Sequence, residues 1–353
     1  MPTGVVQKRG HKPPMPAIVG GIVAAVAVIA VAVFVLIPKG PQVRDCLNDY
    51  SWDEISQISQ LISKKGDQNG AIEVAKKYHL CTSDGKLDGT QTKDVTLSGG
   101  TQAKVMIMGF NHDDKSDGSG KAGITFIFTD DVAKQNMCEK SDMDSLFQKI
   151  QDKGSATLSW EDTSLHTWLS DSFTSQLPSE LSDKIVAVNK TDAVMPLTTS
   201  TAYSYSGYDR EEIPSAKIDD DSDPKAVTSS DKLWLPSYAE VLATDDLGFD
   251  SSDNYFNYLL QEGSQYQIYK DSGVKRTKPN KILGTYNSEK GGGWWLRSWS
   301  TYEVAYFATL RPCFRACFSD GDGEAARITN DSQPYSYNKD GDPIVGVRPA
   351  FCI

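Results

Sequence analysis

Gly291-Gly292-Gly293-Trp294-Trp295-Leu296-Arg297-Ser298 and, further on, Gly346-Val347-Arg348-Pro349-Ala350-Phe351-Cys352-Ile353 decide how this chain is read. Three glycines let the backbone turn sharply and pass close to a neighbour. Two adjacent tryptophans bring a large apolar area that wants burial. Both phrases therefore read as scaffold, with Trp294, Trp295, Leu296, Val347 and Phe351 inside. Arg297 and Arg348 sit between apolar neighbours, so each needs an acid or a backbone carbonyl as partner. Between the two phrases, Trp299 to Asp342 mixes Trp, Tyr, Phe, Arg, Cys, Asp and Gly without a sustained period of 2 or 3.6. A binding surface displayed by a rigid frame reads this way; an irregular, loop-rich core segment has the same composition. Aromatic and Arg side chains dominate interfaces, which makes Trp299, Tyr302, Tyr306, Arg311, Phe314, Arg315 and Phe318 the candidate ligand-contacting residues.

The rest of the chain is globular and acidic. Residues 1–44 hold five Lys/Arg and no acid, so the remainder carries 31 basic against 47 acidic side chains, a formal −16. Such a body repels nucleic acid and anionic lipid, and no basic stripe with interleaved aromatics appears. Nucleic acid is therefore not an expected partner.

Working back to the start, Ala17 to Ile37 is an uncharged run, roughly 32 Å long as a helix and enough to span a bilayer. Lys8, Arg9 and Lys12 precede it, which by the positive-inside tendency puts residues 1–16 in the cytoplasm and everything after Lys39 outside. A cleaved signal peptide is the competing reading, but the run is long and no convincing small-x-small site follows. Residues 45–81 read as a short helical stalk: Ser51 and Glu54 form a capping box, and Ile55, Ile58 and Ile62 share a face. Cys46 and Cys81 bracket this pair. Outside the cytoplasm a disulfide there would contribute about 3–4 kcal/mol in the chain-entropy model; two free thiols are the alternative.

A hairpin is predicted over Lys93–Met108 about Gly99-Gly100, followed by an apolar strand from Gly123 to Phe128. Ser159 starts a helix whose buried face is Leu165, Trp168 and Leu169. Residues 191–230, rich in Ser, Thr, Asp and Tyr, read as solvated loop. Lys232–Ser237 reads as a strand leading into a helix through Glu240 and Leu242.

Five phrases then coincide in order: Gly109-Phe110-Asn111-His112-Asp113, Trp160-Glu161-Asp162 with Trp168-Leu169, Lys232-Leu233-Trp234-Leu235-Pro236-Ser237, and the two phrases quoted at the outset. Over residues 90–353 the chain resembles an uncharacterised family of bacterial surface and phage-associated domains, related to the formylglycine-generating-enzyme type of C-type-lectin fold. The resemblance implies an α+β, C-type-lectin-like domain with its carboxyl terminus locked into the sheet. Relatives of that fold include the variable proteins of diversity-generating retroelements, whose ligand-contacting region occupies the place of 294–353 here. Together with the uncharged run Ala17 to Ile37, this makes the expected function that of a membrane-anchored, outward-facing protein that binds an extracellular protein or carbohydrate.

The same fold hosts an oxidase working through two cysteines, and Cys313 and Cys317 are available. Their spacing departs from the oxidase motif, and two thiols alone make an incomplete metal site. No GxSxG, phosphate loop, HExxH or CxxC appears, and His166 reads as helix surface. The oxidase and a purely structural envelope protein are the alternatives to binding. No cofactor is expected, with calcium the one ion that the acid-rich stretches Asn111–Gly118 and Ser319–Glu324 could hold.

Overall fold

The computed structural model describes residues 40–206, 209–218, 225–247, 259–276, 278, 280–284, 293–304, 309–318, 327–332 and 345–353. Gln42–Ile353 forms one compact unit. Its first helices are α1 (Trp52–Ser63) and α2 (Gln68–Lys77). α1 starts where the sequence places it, with the Ser51 hydroxyl accepting from the Glu54 amide and the Glu54 carboxylate accepting from the Ser51 amide.

Three sheets follow. The first runs β1 (Thr92–Thr96), β2 (Gln102–Phe110), β3 (Ile124–Phe128), β13 (Ala350–Cys352), all neighbours antiparallel. β1 and β2 form the expected hairpin, with Gly99 at φ 86° and Gly100 at φ 85°, values that residues with a Cβ adopt only with strain. The second sheet runs β11 (Arg327–Ser332), β10 (Thr309–Phe318), β9 (Gly293–Val304), β12 (Gly346–Val347), β4 (Ala133–Lys134). Only the β9–β12 pairing in it is parallel. The third is a long antiparallel hairpin of β6 (Val188–Ser206) and β7 (Asp209–Ile218), with β5 (Ser155–Leu158) and β8 (Lys225–Asp231) also paired to β6. The last residues thus tie two sheets together, and Ala350 also bridges to Trp234 and Cys352 to Val186.

Several expectations are corrected here. The described residues form a mixed α/β body, not a C-type-lectin-like domain on a stalk. Ile55, Ile58 and Ile62 are fully buried as their spacing requires, and the helix that carries them packs against the first sheet as well as against α2. Trp52 packs edge-on against Phe126 at 5.9 Å and Phe351 at 6.3 Å, and the Ser59 hydroxyl donates to the Ile353 carbonyl. The approach is close enough that a Cβ at Gly123 would collide with the Ser59 backbone. Among the described residues no helix is long and apolar enough to cross a membrane; the run 17–37 and the tail 1–16 lie outside the described residues. Cys46 and Cys81 are free thiols rather than a disulfide. Cys46 is exposed and donates to Asp49, whereas Cys81 turns into the core.

The stretch 191–230 is not solvated loop either. Much of it is the β6–β7 hairpin and β8, in keeping with the strand preference of its Thr and Tyr residues. The helix expected from Ser159 starts instead at Thr163, whose hydroxyl accepts from the His166 amide. Trp160–Asp162 is a separate turn before it, and residues 164–176 run on without a break, with Leu165 and Leu169 buried. A helix not read from the sequence, α3 (Lys140–Lys153), is mostly polar, with Leu146 and Ile150 buried.

Candidate functional site

The most distinctive chemistry among the described residues lies where β6, β9 and the Glu240 helix α4 (Tyr238–Val241) meet. Lys190 and Asp192, two apart on β6, both enter the core, as alternate residues of a strand share a face. The Lys190 ammonium donates to Asp113 at 2.5 Å, Glu240 at 2.8 Å and the Tyr266 hydroxyl at 2.9 Å. It also lies 4.3 Å from the centre of the Trp234 ring. From β9, Arg297 donates to Asp192 at 2.5 Å and Glu240 at 2.5 Å, and to the carbonyls of Leu235 at 2.9 Å and Glu262 at 2.6 Å. Glu240 is positioned by its own helix start, where Ser237 caps α4 and its amide donates to the Glu240 carboxylate at 2.9 Å. Glu262 contacts the Ser298 hydroxyl and accepts from the Ala193 amide at 3.3 Å.

All of this is sealed: the side chains of Lys190, Asp113, Glu240, Arg297 and Asp192 are at most 3 % exposed. Charge balance follows from the burial. Burial alone would push every carboxyl up, but Lys190 holds Asp113 well below the ordinary range, and Arg297 with Lys190 lowers Glu240. Those two acids neutralise the two cations. The surplus acids pay in pKa: burial drives Asp192 up to about 6 and Glu262 up to about 8, against the pull of Arg297 on each. A second, shallower pair flanks the core. His166 contacts Asp231 at 2.8 Å, and Asp231 also accepts from Ser229 at 2.7 Å and Trp160 at 3.3 Å. Burial opposes charging of His166, but the Asp231 contact wins and its pKa is raised. His166 is therefore partnered and half-buried, not free helix surface.

Carboxylates with no opening to solvent are held rather than offered to a substrate, so this network acts as a frame. One consequence is a pH dependence. Glu262 keeps its proton up to about 8 when folded and loses it near 4.5 when unfolded. It therefore favours the fold fully below about pH 4.5, and that preference is lost as pH rises to about 8. Glu262→Gln, which copies the protonated form, should fold at neutral pH and melt with a shallower fall than the parent between about pH 5 and pH 8.5. Parallel slopes in thermal melts would refute the assignment.

The arginine expectation holds: Arg348 pairs with Asp131 at 2.6 Å and the Leu283 carbonyl at 3.1 Å, and Arg297 is the hub described above. Trp294, Trp295, Leu296, Val347 and Phe351 are all buried. Trp299 is a correction. It is 4 % exposed and its indole donates to the Ala193 carbonyl at 3.0 Å, so it belongs to the frame. Tyr302, Arg311, Phe314, Arg315 and Phe318 are placed by strand and register alone. Arg311 lies opposite Tyr302, Phe314 opposite Trp299, Arg315 opposite Asp331 and Phe318 opposite Gly293. Tyr306 lies outside the described residues.

Cys313 and Cys317 are on strand β10, opposite Ser300 and Trp294, and not on a helix. In the Asn111–Gly118 loop, Asp113 is taken by Lys190, Asp114 by Lys121 at 3.0 Å, and Asp117 by the Ser119 amide. Among the described residues no group of three or more His, Cys, Asp and Glu is placed to hold a metal ion; Ser319–Glu324 lies outside them. Sequence reasoning missed Lys190, Asp192, Asp231 and Glu262. The signal available was the alternation Val188, Lys190, Asp192 along a strand inside an otherwise polar stretch.

A family model described as a domain of unknown function (DUF6273) matches residues 122–353. Asp113 and both N-terminal helices precede that match, yet they complete the same core. No curated protein and no solved structure matches the chain, and no likeness to a lectin fold is found.

Proposed function

We propose that this chain, which belongs to the DUF6273 family, is a ligand-binding protein that displays its binding surface on the outer end of β9 and along β10. The uncharged run 17–37 supports a location at a membrane with the described body outside the cytoplasm.

The observation that carries the reading is the change in character along β9. Residues 293–299 are buried throughout, with Trp294, Trp295, Arg297 and Trp299 each tied to core partners. The same strand continues to Val304, where Tyr302 lies opposite Arg311 of β10, and β10 then carries Phe314, Arg315 and Phe318 back alongside the root, with Phe314 opposite Trp299 and Phe318 opposite Gly293. A strand rooted so firmly can carry varied side chains beyond its root without losing register, because the hydrophobic set that fixes register stays in the core. Aromatic and Arg residues are the types that supply most binding energy at interfaces. Diversification of 294–353 by a retroelement belongs to the same reading, and a reverse-transcriptase gene beside a near-copy of that coding segment would support it.

The experiment is a selection. A library randomised at Tyr302, Tyr306, Arg311, Phe314, Arg315 and Phe318 is displayed and panned against an immobilised protein of known structure, such as a lysozyme. The expected result is enriched clones that bind this bait with substitutions confined to those six positions. Enrichment of none, or only of clones altered in the frame, would overturn the proposal.

A further inference from the structure

Between α1 and the loop that follows Lys115 lies a cleft of about 410 Å³. Ser56, Gln60, Ser63 and Lys64 form one wall, and Lys115 and Ser119 face them. No Asp or Glu lines it, although acids outnumber bases in the body by the −16 noted above. Most lysines with a partner among the described residues pair with an acid close by, as Lys86 does with Asp84, Lys104 with Asp94 and Lys121 with Asp114. Lys184, at the edge of the cleft, is also taken, by Asp53 at 2.5 Å. Lys64 and Lys115 have no ion-pair partner among the described residues. Two lysines thus line one small space in an acidic protein, with Lys115 acting electrostatically on Asp117, which is not among the lining residues.

The walls are fixed. The Ser63 hydroxyl donates to the Lys121 carbonyl at 2.6 Å and that of Ser59 to the Ile353 carbonyl. Gly123 permits the close approach of α1 that sets the floor. A pre-formed cavity near 400 Å³ is at the small end of ligand sites, the size of a sugar rather than a nucleotide cofactor. Its lining sets the serine hydroxyls and the Gln60 amide beside small and aliphatic residues (Ala122, Val186, Ile353), with no aromatic ring. Hydroxyls both donate and accept, which matches a ligand that is itself hydroxylated, and lysine is a flexible point charge suited to an oxyanion.

We propose that this cleft binds a small hydroxylated oxyanion, a sugar phosphate or a sugar carboxylate. It shares no residue with the β9–β10 strands, so the site and the display function stand or fall separately.

The test is calorimetric titration of the full-length chain with four probes: glucose 6-phosphate, glucuronate, inorganic phosphate and glucose. At least one of the two anionic sugars should bind, and more tightly than phosphate, while glucose should not; which of the two wins identifies the anion. Lys64→Ala combined with Lys115→Ala should weaken that binding by about tenfold or more and leave the melting temperature unchanged, since both are surface side chains. Raising salt should weaken it in the parent. Lys104→Ala, which removes a lysine away from the cleft, should leave it unaltered. Three results would overturn the proposal: no binding by either sugar anion at millimolar concentration, phosphate binding as tightly as the sugars (an adventitious ion only), or equal binding by the double variant.

Discussion

Arg297→Leu is expected to lower the protein's denaturation midpoint more than any other single substitution in the network. Its guanidinium is buried completely and meets Asp192, Glu240 and the carbonyls of Leu235 and Glu262. Removing one partner from a buried ion pair leaves an uncompensated charge, typically at a cost of about 3–5 kcal/mol. A domain with about 5–15 kcal/mol in total has little margin for that. Arg297→Lys keeps the charge but cannot reproduce a planar fork that reaches four acceptors, so it should fall between parent and Leu. Denaturant titration reads the result as a midpoint shift at constant slope. A Leu variant with the parent's midpoint would mean that the network contributes nothing to stability.

Trp295→Ala should be nearly as damaging for a different reason. The ring is fully buried and its Nε1 donates to the Gln135 carbonyl at 2.8 Å. Truncation leaves a cavity and orphans that carbonyl, for about 3–5 kcal/mol in all. Thermal melts should show a fall of roughly 5–15 °C. Trp295→Phe, which fills most of the space but lacks the donor, should recover a large part of the loss. If the two variants melt alike, packing is not what the tryptophan supplies.

Local features were legible in the sequence; their partners were not. The Ile55, Ile58, Ile62 spacing announces a buried helix face, but a helix and a sheet cover such a face equally well, so the sequence could suggest a stalk where the chain builds core. Gly99-Gly100 announces a turn because few other residues accept its backbone angles. Arg297 announces a need for partners, yet Asp192 and Glu240 lie 105 and 57 residues away, and no spacing rule reaches so far. Lys190 and Asp192 were hidden for the opposite reason: buried charges that satisfy one another look like surface in composition. Trp299 was misassigned because it opens the mixed stretch, whereas the frame extends one residue beyond Ser298. Helix α3 escaped notice because its apolar stripe is thin.

The account stands on the separation of the frame at the root of β9 from a face carried by its outer end and by β10, and melting temperature tests it most directly. A pool of variants carrying random substitutions at Tyr302, Tyr306, Arg311, Phe314, Arg315 and Phe318 should be purified clone by clone and melted beside the parent. Exposed positions usually change stability by less than about 0.5 kcal/mol each, so most clones should melt within a few degrees of the parent. If most unfold, those six residues are core like Trp299, and no display surface exists on β9 and β10.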